Sequence, residues 1–501
     1  MSKHRILLIA AAALTASCGA KTTVPTRTAP GPAPVVSSAR IAQGVDLSTG
    51  LQRDTLVSAA LADIDPAHIR HTDSALVSFG TRNTFSDTLS TTHGIGAARR
   101  WIHAQFEQYS RDCGGCLKVE YYGKVQDVKR AVGRDTITRS ANIVDVLAWL
   151  PGRDTTHVVV MSGHYDSCVC SAGGSFDSTS TAPGADDDGS GTSAVVELAR
   201  VLSKRYPKGL ASSIIFVAVA AEEQGLYGSK QLAERLHDQG YKVVAGMTDD
   251  IVGNTTAEDG STDSTSMRIF AADPDNSPSR ELGRYVWALN RVYLPNFEVL
   301  PVWRLDRIGR GGDHEPYVTL GDAGLRFTER VENYNRQHLP TDDLAHVNFR
   351  YIANVARVNA MTVASLAAAP VTPANARAAR QGRAGVDSTG APVAATSSGG
   401  QAWTLSWEAS PGADGYELLI RRTTSSTWEE LIPLGNVTRC TLRRQLDDEW
   451  AGVRAVGPDG ARSMAASMPA PNLPRGTVAA ARPPAPRGAQ PAGPPPPTCG
   501  A

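Results

Sequence analysis

Neither sign of charge is in excess in this chain. Its 501 residues carry 50 lysines and arginines against 50 aspartates and glutamates, a formal net charge of zero. Basic residues interleaved with aromatics are also missing, so the electrostatic basis for binding nucleic acid is absent. No apolar stretch reaches the roughly 20 residues a permanent membrane span needs, so the mature chain should hold no transmembrane helix. No internal repeat appears. No second Cys-x-x-Cys accompanies DCGGC (112–116), which argues against a zinc knuckle. What the length does provide is room for two to four domains and a large core.

The first residues, MSKHRILLIAAAALTASCGA, combine a positive start, a short apolar run and small residues before a cysteine, the layout of a secretory signal. They resemble a bacterial lipoprotein signal, in which Cys18 would carry the lipid and attach the protein to the outer membrane. Ordinary signal-peptidase cleavage near Cys18 is the alternative. Both imply export, to the periplasm, the outer membrane or the medium. Setting Cys18 aside leaves Cys113, Cys116, Cys168, Cys170, Cys440 and Cys499, and the close pairs in DCGGC and SCVC are candidates for local disulfides in an oxidising compartment.

After the signal (1–18), residues 19–44 are Thr/Pro/Ala-rich and read as a flexible linker. Residues 45–370 have globular texture. Strand-length apolar runs such as NIVDVLAWL (142–150), HVVVMSG (157–163) and SSIIFVAVAA (212–221) alternate with helical patterns such as SGTSAVVELARVLSKR (190–205). This alternation predicts an α/β domain with a mostly parallel central sheet flanked by helices. From 371 to 470 short β-type segments separated by Gly, Ser and Asp predict a small β-sandwich, which resembles a fibronectin type III domain with Trp407 and Tyr416 at core positions. Residues 471–501 are Pro/Ala-rich and read as a disordered tail.

In an α/β sheet ligands bind at the carboxyl ends of the strands. The residues that follow or neighbour the apolar runs read GHYDS, GADDDGSG, AEEQG, TDDIVG and GGDHEPY, so that His164, Asp187, Glu223, Asp250 and His314 all fall at strand ends or in the loops beside them. The run Asp186–Asp187–Asp188 crowds three like charges into a glycine-rich turn, an arrangement that a bound cation would relieve; a calcium-binding or merely solvated turn is the alternative.

Taken in order, these five segments resemble those of the di-zinc aminopeptidase family, which includes secreted bacterial leucyl aminopeptidases and, more distantly, glutamate carboxypeptidases. The resemblance covers roughly residues 60–365. It implies a zinc exopeptidase-like fold and two Zn2+ per chain. By that resemblance His164 and Asp250 bind one zinc, Glu223 and His314 the other, and Asp187 bridges them. Glu222 is then the general base, Asp166 orients His164, and a cis peptide follows the bridging aspartate. Two zinc ions against three ionised carboxylates leave one charge for a bridging hydroxide, the nucleophile. Asp249 competes with Asp250 for the ligand position, His314 has a structural alternative, and His338 and His346 are read as surface-loop residues.

The reaction expected is hydrolysis of the N-terminal bond of a peptide substrate, with Glu222 moving the proton from water to the leaving amine. A carboxypeptidase or dipeptidase on the same centre is one alternative, for which Arg304, Arg307 and Arg310 would bind a substrate carboxylate. A glutaminyl cyclase and a non-catalytic binding protein are the others. Cobalt or manganese would suit the same ligands.

Overall fold

A computed structural model describes residues 35–36, 50–132, 135–170, 175–380 and 402–469. The candidate signal with Cys18, most of the predicted linker and the tail from 471 lie outside these residues. Within the stretch read as a linker, strand β1 (Val35–Val36) pairs in parallel with Thr441 and Leu442; β-branched residues such as these valines favour extended backbone.

Three helices open the main body: α1 (Thr55–Asp63), α2 (Pro66–Ser78) and α3 (Gly94–Asp112). Asp54 and Asp65 start the first two by accepting otherwise unpaired backbone N–H groups. Then follow β2 (Lys118–Val132), β3 (Asp135–Leu150), β4 (Asp154–His164), α4 (Gly191–Arg205), β5 (Ser212–Val219), α5 (Tyr227–Asp238) and β6 (Lys242–Asp249). The second half adds β7 (Ser266–Ala271), α6 (Pro278–Tyr293), β8 (Glu298–Val302), α7 (Glu315–Leu320), β9 (Gly324–Glu329) and α8 (Phe349–Ala368).

The eight strands form one mixed sheet in the order β2-β3-β5-β4-β6-β9-β7-β8. Its four central strands, β5, β4, β6 and β9, run parallel, while β2, β3 and β7 join it through antiparallel pairings. Burial on both faces explains why the central strands read as unbroken apolar runs. In β5, Ile214, Phe216 and Ala218 enter the core shared with α4 and α8, whereas Ile215, Val217 and Val219 enter the core shared with α5. Strand β3 pairs with β5 only over Val146–Leu150, and the rest of the β2–β3 hairpin projects as a two-stranded ribbon.

The connection from β4 goes through α4 to β5 on one side, and the next connection goes through α5 to β6 on the other. A crevice therefore opens at the carboxyl end of β4. Among the described residues no helix is long and apolar enough to cross a membrane.

The C-terminal residues form two small sheets from β10 (Arg377–Arg380), β11 (Ala402–Ser406), β12 (Gly415–Arg422), β13 (Glu430–Gly435), β14 (Arg439–Arg443), β15 (Glu449–Val456) and β16 (Ala466–Ser467). One sheet is ordered β1-β14-β11-β10 and the other β13-β12-β15-β16. Trp403, Leu405, Trp407, Tyr416, Leu418 and Val453 share one core. This unit docks on α6 and the turn before it, where Trp428 donates to Glu281 at 2.9 Å and Arg421 pairs with Asp275 at 2.6 Å. Both close cysteine pairs are disulfides, Cys113–Cys116 and Cys168–Cys170, while Cys440 is free and buried.

Candidate metal centre

Four neighbouring parallel strands each deliver ionisable side chains to the crevice. His164 ends β4, Asp187 comes from the wide turn of residues 185–190 that enters α4, Glu222 and Glu223 follow β5, and Asp250 follows β6. His338 lies on the loop after β9.

Asp187 stands between two imidazoles. Its Oδ1 is 3.2 Å from His164 Nε2 and its Oδ2 is 3.1 Å from His338 Nε2. On the first side Asp250 Oδ1 lies 3.7 Å from the same His164 nitrogen; on the second Glu223 Oε2 lies 3.2 Å from the His338 nitrogen. Two donor groups result. His164, Asp187 and Asp250 form one; Glu223 and His338, with Cys168 and Cys170, form the other, and within each group the donor atoms all lie within 4.8 Å of one another.

A cation fits these groups. His164 Nε2 and Glu223 Oε1 are buried without a hydrogen-bond partner, so the close approach of His164 to Asp187 is not an aligned hydrogen bond. Buried polar atoms seldom remain unpaired, and donors that converge without bonding to one another suit a shared cation.

The surrounding residues fix these donors. His164 Nδ1 donates to the backbone carbonyl of Asp166 at 3.1 Å, which turns Nε2 toward Asp187 and Asp250. The Asp166 carboxylate, 3.7 Å from the same nitrogen, accepts the backbone N–H groups of Glu222 (3.2 Å) and Glu223 (3.3 Å). It thus orients the two glutamates as well as the histidine. Arg326 holds Asp250 by its other oxygen at 3.1 Å. Asp249, one residue earlier on the strand, faces the opposite way and accepts from Asn359 at 2.6 Å.

The aspartate run is built from the same parts. Asp186 accepts from Gly253 N at 2.7 Å, and Asp188 accepts from Gly191 N at 2.8 Å and His164 N at 3.0 Å. The two oxygens of Asp342 take the N–H groups of Asp186 and Asp187 at 2.8 and 3.0 Å. The Asp187–Asp188 peptide is cis. Glycine is required at 191, where a Cβ would meet Asp188 Oδ1 at 2.5 Å and the Asp249 carbonyl at 2.8 Å.

Charges in the crevice balance one another in a revealing way. Burial would raise Asp187, but His338 and His164 hold it well below the usual carboxylate range. Burial is likewise outweighed at Asp250, which Arg326 and His164 hold at about 2. His338 is lifted to about 11 against its burial by Glu223 and Asp187. An imidazolium wedged between two carboxylates supplies positive charge where a divalent ion would bind, so proton and metal compete there. Glu222 belongs to neither donor group. Burial, with Asp250, Asp313 and Glu223 nearby, pushes its carboxyl well above its ordinary value despite His164. It lines a cleft of about 280 Å³ together with Asp187, Glu223, Asp250, Arg307, Arg310 and His338.

His314 is not part of either group, contrary to the expectation from GGDHEPY. Its Nε2 donates to the Leu305 carbonyl at 2.8 Å, and burial draws its pKa down to about 4. Arg326 ties this segment to the site, binding both the Gly311 carbonyl and Asp250. The imidazole of the second group is His338, expected on a surface loop. It was hidden because β9, GLRFTE, does not read as a strand: Arg326, Thr328 and Glu329 interrupt its apolar pattern although all three are buried. Recognising that strand would have directed attention to the loop after it. His346 pairs with Asp343 at 2.9 Å, outside both groups.

Residues 145–363, which include every residue of this crevice, match the model of peptidase family M28. The chain is 36% identical over 437 residues to a probable zinc metalloprotease of Leptosphaeria maculans, an overlap covering 82% of this chain and 96% of the relative. A probable zinc metalloprotease of Pyricularia oryzae is 36% identical over 454 residues, covering 83% and 85%. In solved structures the fold is similar to that of LapA of Legionella pneumophila, with a TM-score of 0.50 at 22% identity over 64% of this chain and 77% of that one. Identity of this extent over nearly the full length of a relative leaves one assignment: the chain belongs to peptidase family M28 and is a homologue of its zinc metalloproteases.

Proposed function

We propose that the protein is an exported exopeptidase that uses two zinc ions to remove N-terminal residues from peptides. The observation that carries this reading is Asp187 turning one oxygen toward each donor group while Glu222 stands beside them uncommitted. In this reading His164 and Asp250 would hold one zinc, Glu223 and His338 would hold the second, and Asp187 would serve both. Bound zinc supplies Lewis-acid polarisation of the scissile carbonyl and makes water acidic enough to attack near neutral pH. The protein's own part is positioning and proton transfer. Glu222 takes the proton of the attacking water and passes it to the leaving amine, a task suited to a carboxyl whose proton affinity is raised. Asp166 keeps Glu222 and Glu223 in place through their backbone N–H groups.

An exopeptidase is favoured by the shape of the cleft. The space over Glu222 and Glu223 is about 280 Å³, and past Arg307 and Arg310 it meets a wider groove of about 570 Å³ that also carries Arg304 and Tyr334. A terminal residue fits the small end and the remaining peptide the large one. The same arginines support a second reading, a carboxypeptidase or dipeptidase in which they receive the substrate carboxylate. Export is supported by the signal-like N-terminus and by the two disulfides, and the lipid site would be Cys18. The C-terminal pair of sheets is read as the fibronectin type III-like unit.

The test is metal analysis of the purified protein together with turnover of leucyl and N-acetyl-leucyl substrates. Two zinc ions with cleavage only of the free-amine substrate is the expected result. Cleavage confined to substrates with a free carboxyl end would replace the aminopeptidase by the second reading, and failure to bind zinc would end both.

A further inference from the structure

The disulfide Cys168–Cys170 lies against the second donor group. Cys170 Sγ is 3.9 Å from Glu223 Oε2, and the two sulfurs, Glu223 and His338 place their donor atoms all within 4.8 Å of one another. The other disulfide has no such setting: the sulfurs of Cys113 and Cys116 lie beside the carbonyls of Ser110 and Ser203 and the backbone N–H of Cys116, and among the described residues they belong to no group of metal-donor side chains. Two thiolates, a carboxylate and an imidazole are together a complete donor set for a closed tetrahedral zinc site. Disulfide bonding and joint ligation exclude each other. Bonded sulfurs sit about 2.05 Å apart, whereas two thiolates held at about 2.3 Å from one tetrahedral zinc are roughly 3.8 Å apart.

We infer that Cys168 and Cys170 are redox-gated ligands for the metal position at Glu223 and His338. This rests on the two-metal reading above. With the disulfide intact, that position keeps a place for water and substrate. With the disulfide reduced, the two thiolates would join Glu223 and His338, displacing both water and the shared Asp187 oxygen, and the position would become closed, as in structural zinc sites. Reduction consumes two electrons and two protons from a dithiol, which leaves as its own disulfide; the two chain thiols then give up their protons on binding the metal. Cys170 is partly exposed, which gives an attacking thiolate access to its sulfur, while Cys168 is buried.

The test uses the full chain loaded with cobalt(II) and reduced with a phosphine, which becomes the phosphine oxide with water as the source of oxygen and protons. Sulfur-to-cobalt charge-transfer absorption in the near ultraviolet reports thiolate ligation independently of activity. The oxidised protein is expected to hold two cobalt ions without this band. On reduction the band appears, the cobalt content stays constant, turnover falls about tenfold or more as the open position is lost, and reoxidation reverses all of this. C113S/C116S responds like the unaltered protein, whereas in C168S/C170S the ratio of reduced to oxidised turnover stays near one and no band forms. C170S alone, with its freed Cys168, shows a weaker band before any phosphine is added. Complete reduction verified by thiol counting with no band, or a turnover loss that persists in C168S/C170S, overturns the inference while leaving the two-metal reading in place. An oxidised chain that takes up no cobalt sinks both.

Discussion

Replacing His338 and His314 by alanine, one at a time, separates the role of ligand from that of buried structural group. His338 Nε2 lies 3.1 Å and 3.2 Å from the oxygens of Asp187 and Glu223, so H338A removes the only imidazole of the second donor group. Loss of an outer partner of a ligand already weakens metal binding about 10–100-fold. Loss of the ligand itself should cost at least about 100-fold, or roughly 2.7 kcal/mol. His314 instead holds the Leu305 carbonyl at 2.8 Å in a fully buried setting. H314A leaves that carbonyl without its donor and opens a cavity, costing about 1–3 kcal/mol of stability with little change in metal affinity. The assay is zinc retained per chain after dialysis against a graded chelator, paired with thermal melts of metal-free protein. Both variants will melt earlier without metal, since H338A leaves Asp187 and Glu223 facing each other with no imidazolium between them. Only the chelator titration distinguishes them: H338A should keep one zinc where the unaltered protein keeps two, and H314A should keep both. Two zinc ions retained by H338A with one lost from H314A would refute the assignment.

Three further outcomes follow from the same geometry. E222Q should lower kcat by about 10²–10⁴-fold while zinc content is unchanged, and a variant retaining full turnover would remove Glu222 from proton transfer. Glu332, gripped by Arg268 and Arg307 at 2.6 Å each, is held at about 2 because those arginines outweigh its burial. A depressed carboxylate pKa stabilises the fold above its ordinary value of 4.5 and loses that contribution as pH falls toward 2. Denaturant unfolding of E332Q should therefore trail the unaltered protein by up to about 3 kcal/mol at pH 7 and by much less near pH 2.5, and an equal gap at both would contradict the ion pairing. D342N places an amide donor against one of the two N–H groups that Asp342 accepts, which should cost about 1–3 kcal/mol and weaken zinc binding through the displaced aspartate turn. Melting and chelator titration together read both effects, and unaltered values in each would show that Asp342 does not hold the turn.

Much of the fold was legible because the central strands are buried on both faces and announce themselves as apolar runs. Carboxylates placed after those runs then marked the crevice, and His164, Asp187, Glu223 and Asp250 meet there. The order of the sheet was not legible, since strand pairing depends on partners distant in the chain. Strand β9 failed for a different reason. Arg326 is fully buried yet ion-paired to Asp250 and Asp306, and Glu329 is buried while accepting from Asn254 N at 2.7 Å. Tertiary partners make the Arg326 charge and the buried Glu329 carboxyl tolerable, and no local pattern reports them. His338 does lie on a loop, where nothing local marks it, and the resemblance of GGDHEPY to the family's last ligand segment pointed to His314 instead. Asp166 shows a milder version: its motif suggested contact with His164, but its grip on the backbone of Glu222 and Glu223 is visible only once β4 and β5 are seen side by side.

The two donor groups also differ in where they fall along the chain, and this gives the protein a timetable. His164, Asp187 and Asp250 have all been synthesised long before His338, which arrives on the far side of β9. The first set is nonetheless not held in place any earlier, because Arg326, which grips Asp250, and Asp342, which fixes the Asp187 turn, also come late in the chain. The crevice therefore comes together only when nearly the whole domain that contains it has been made.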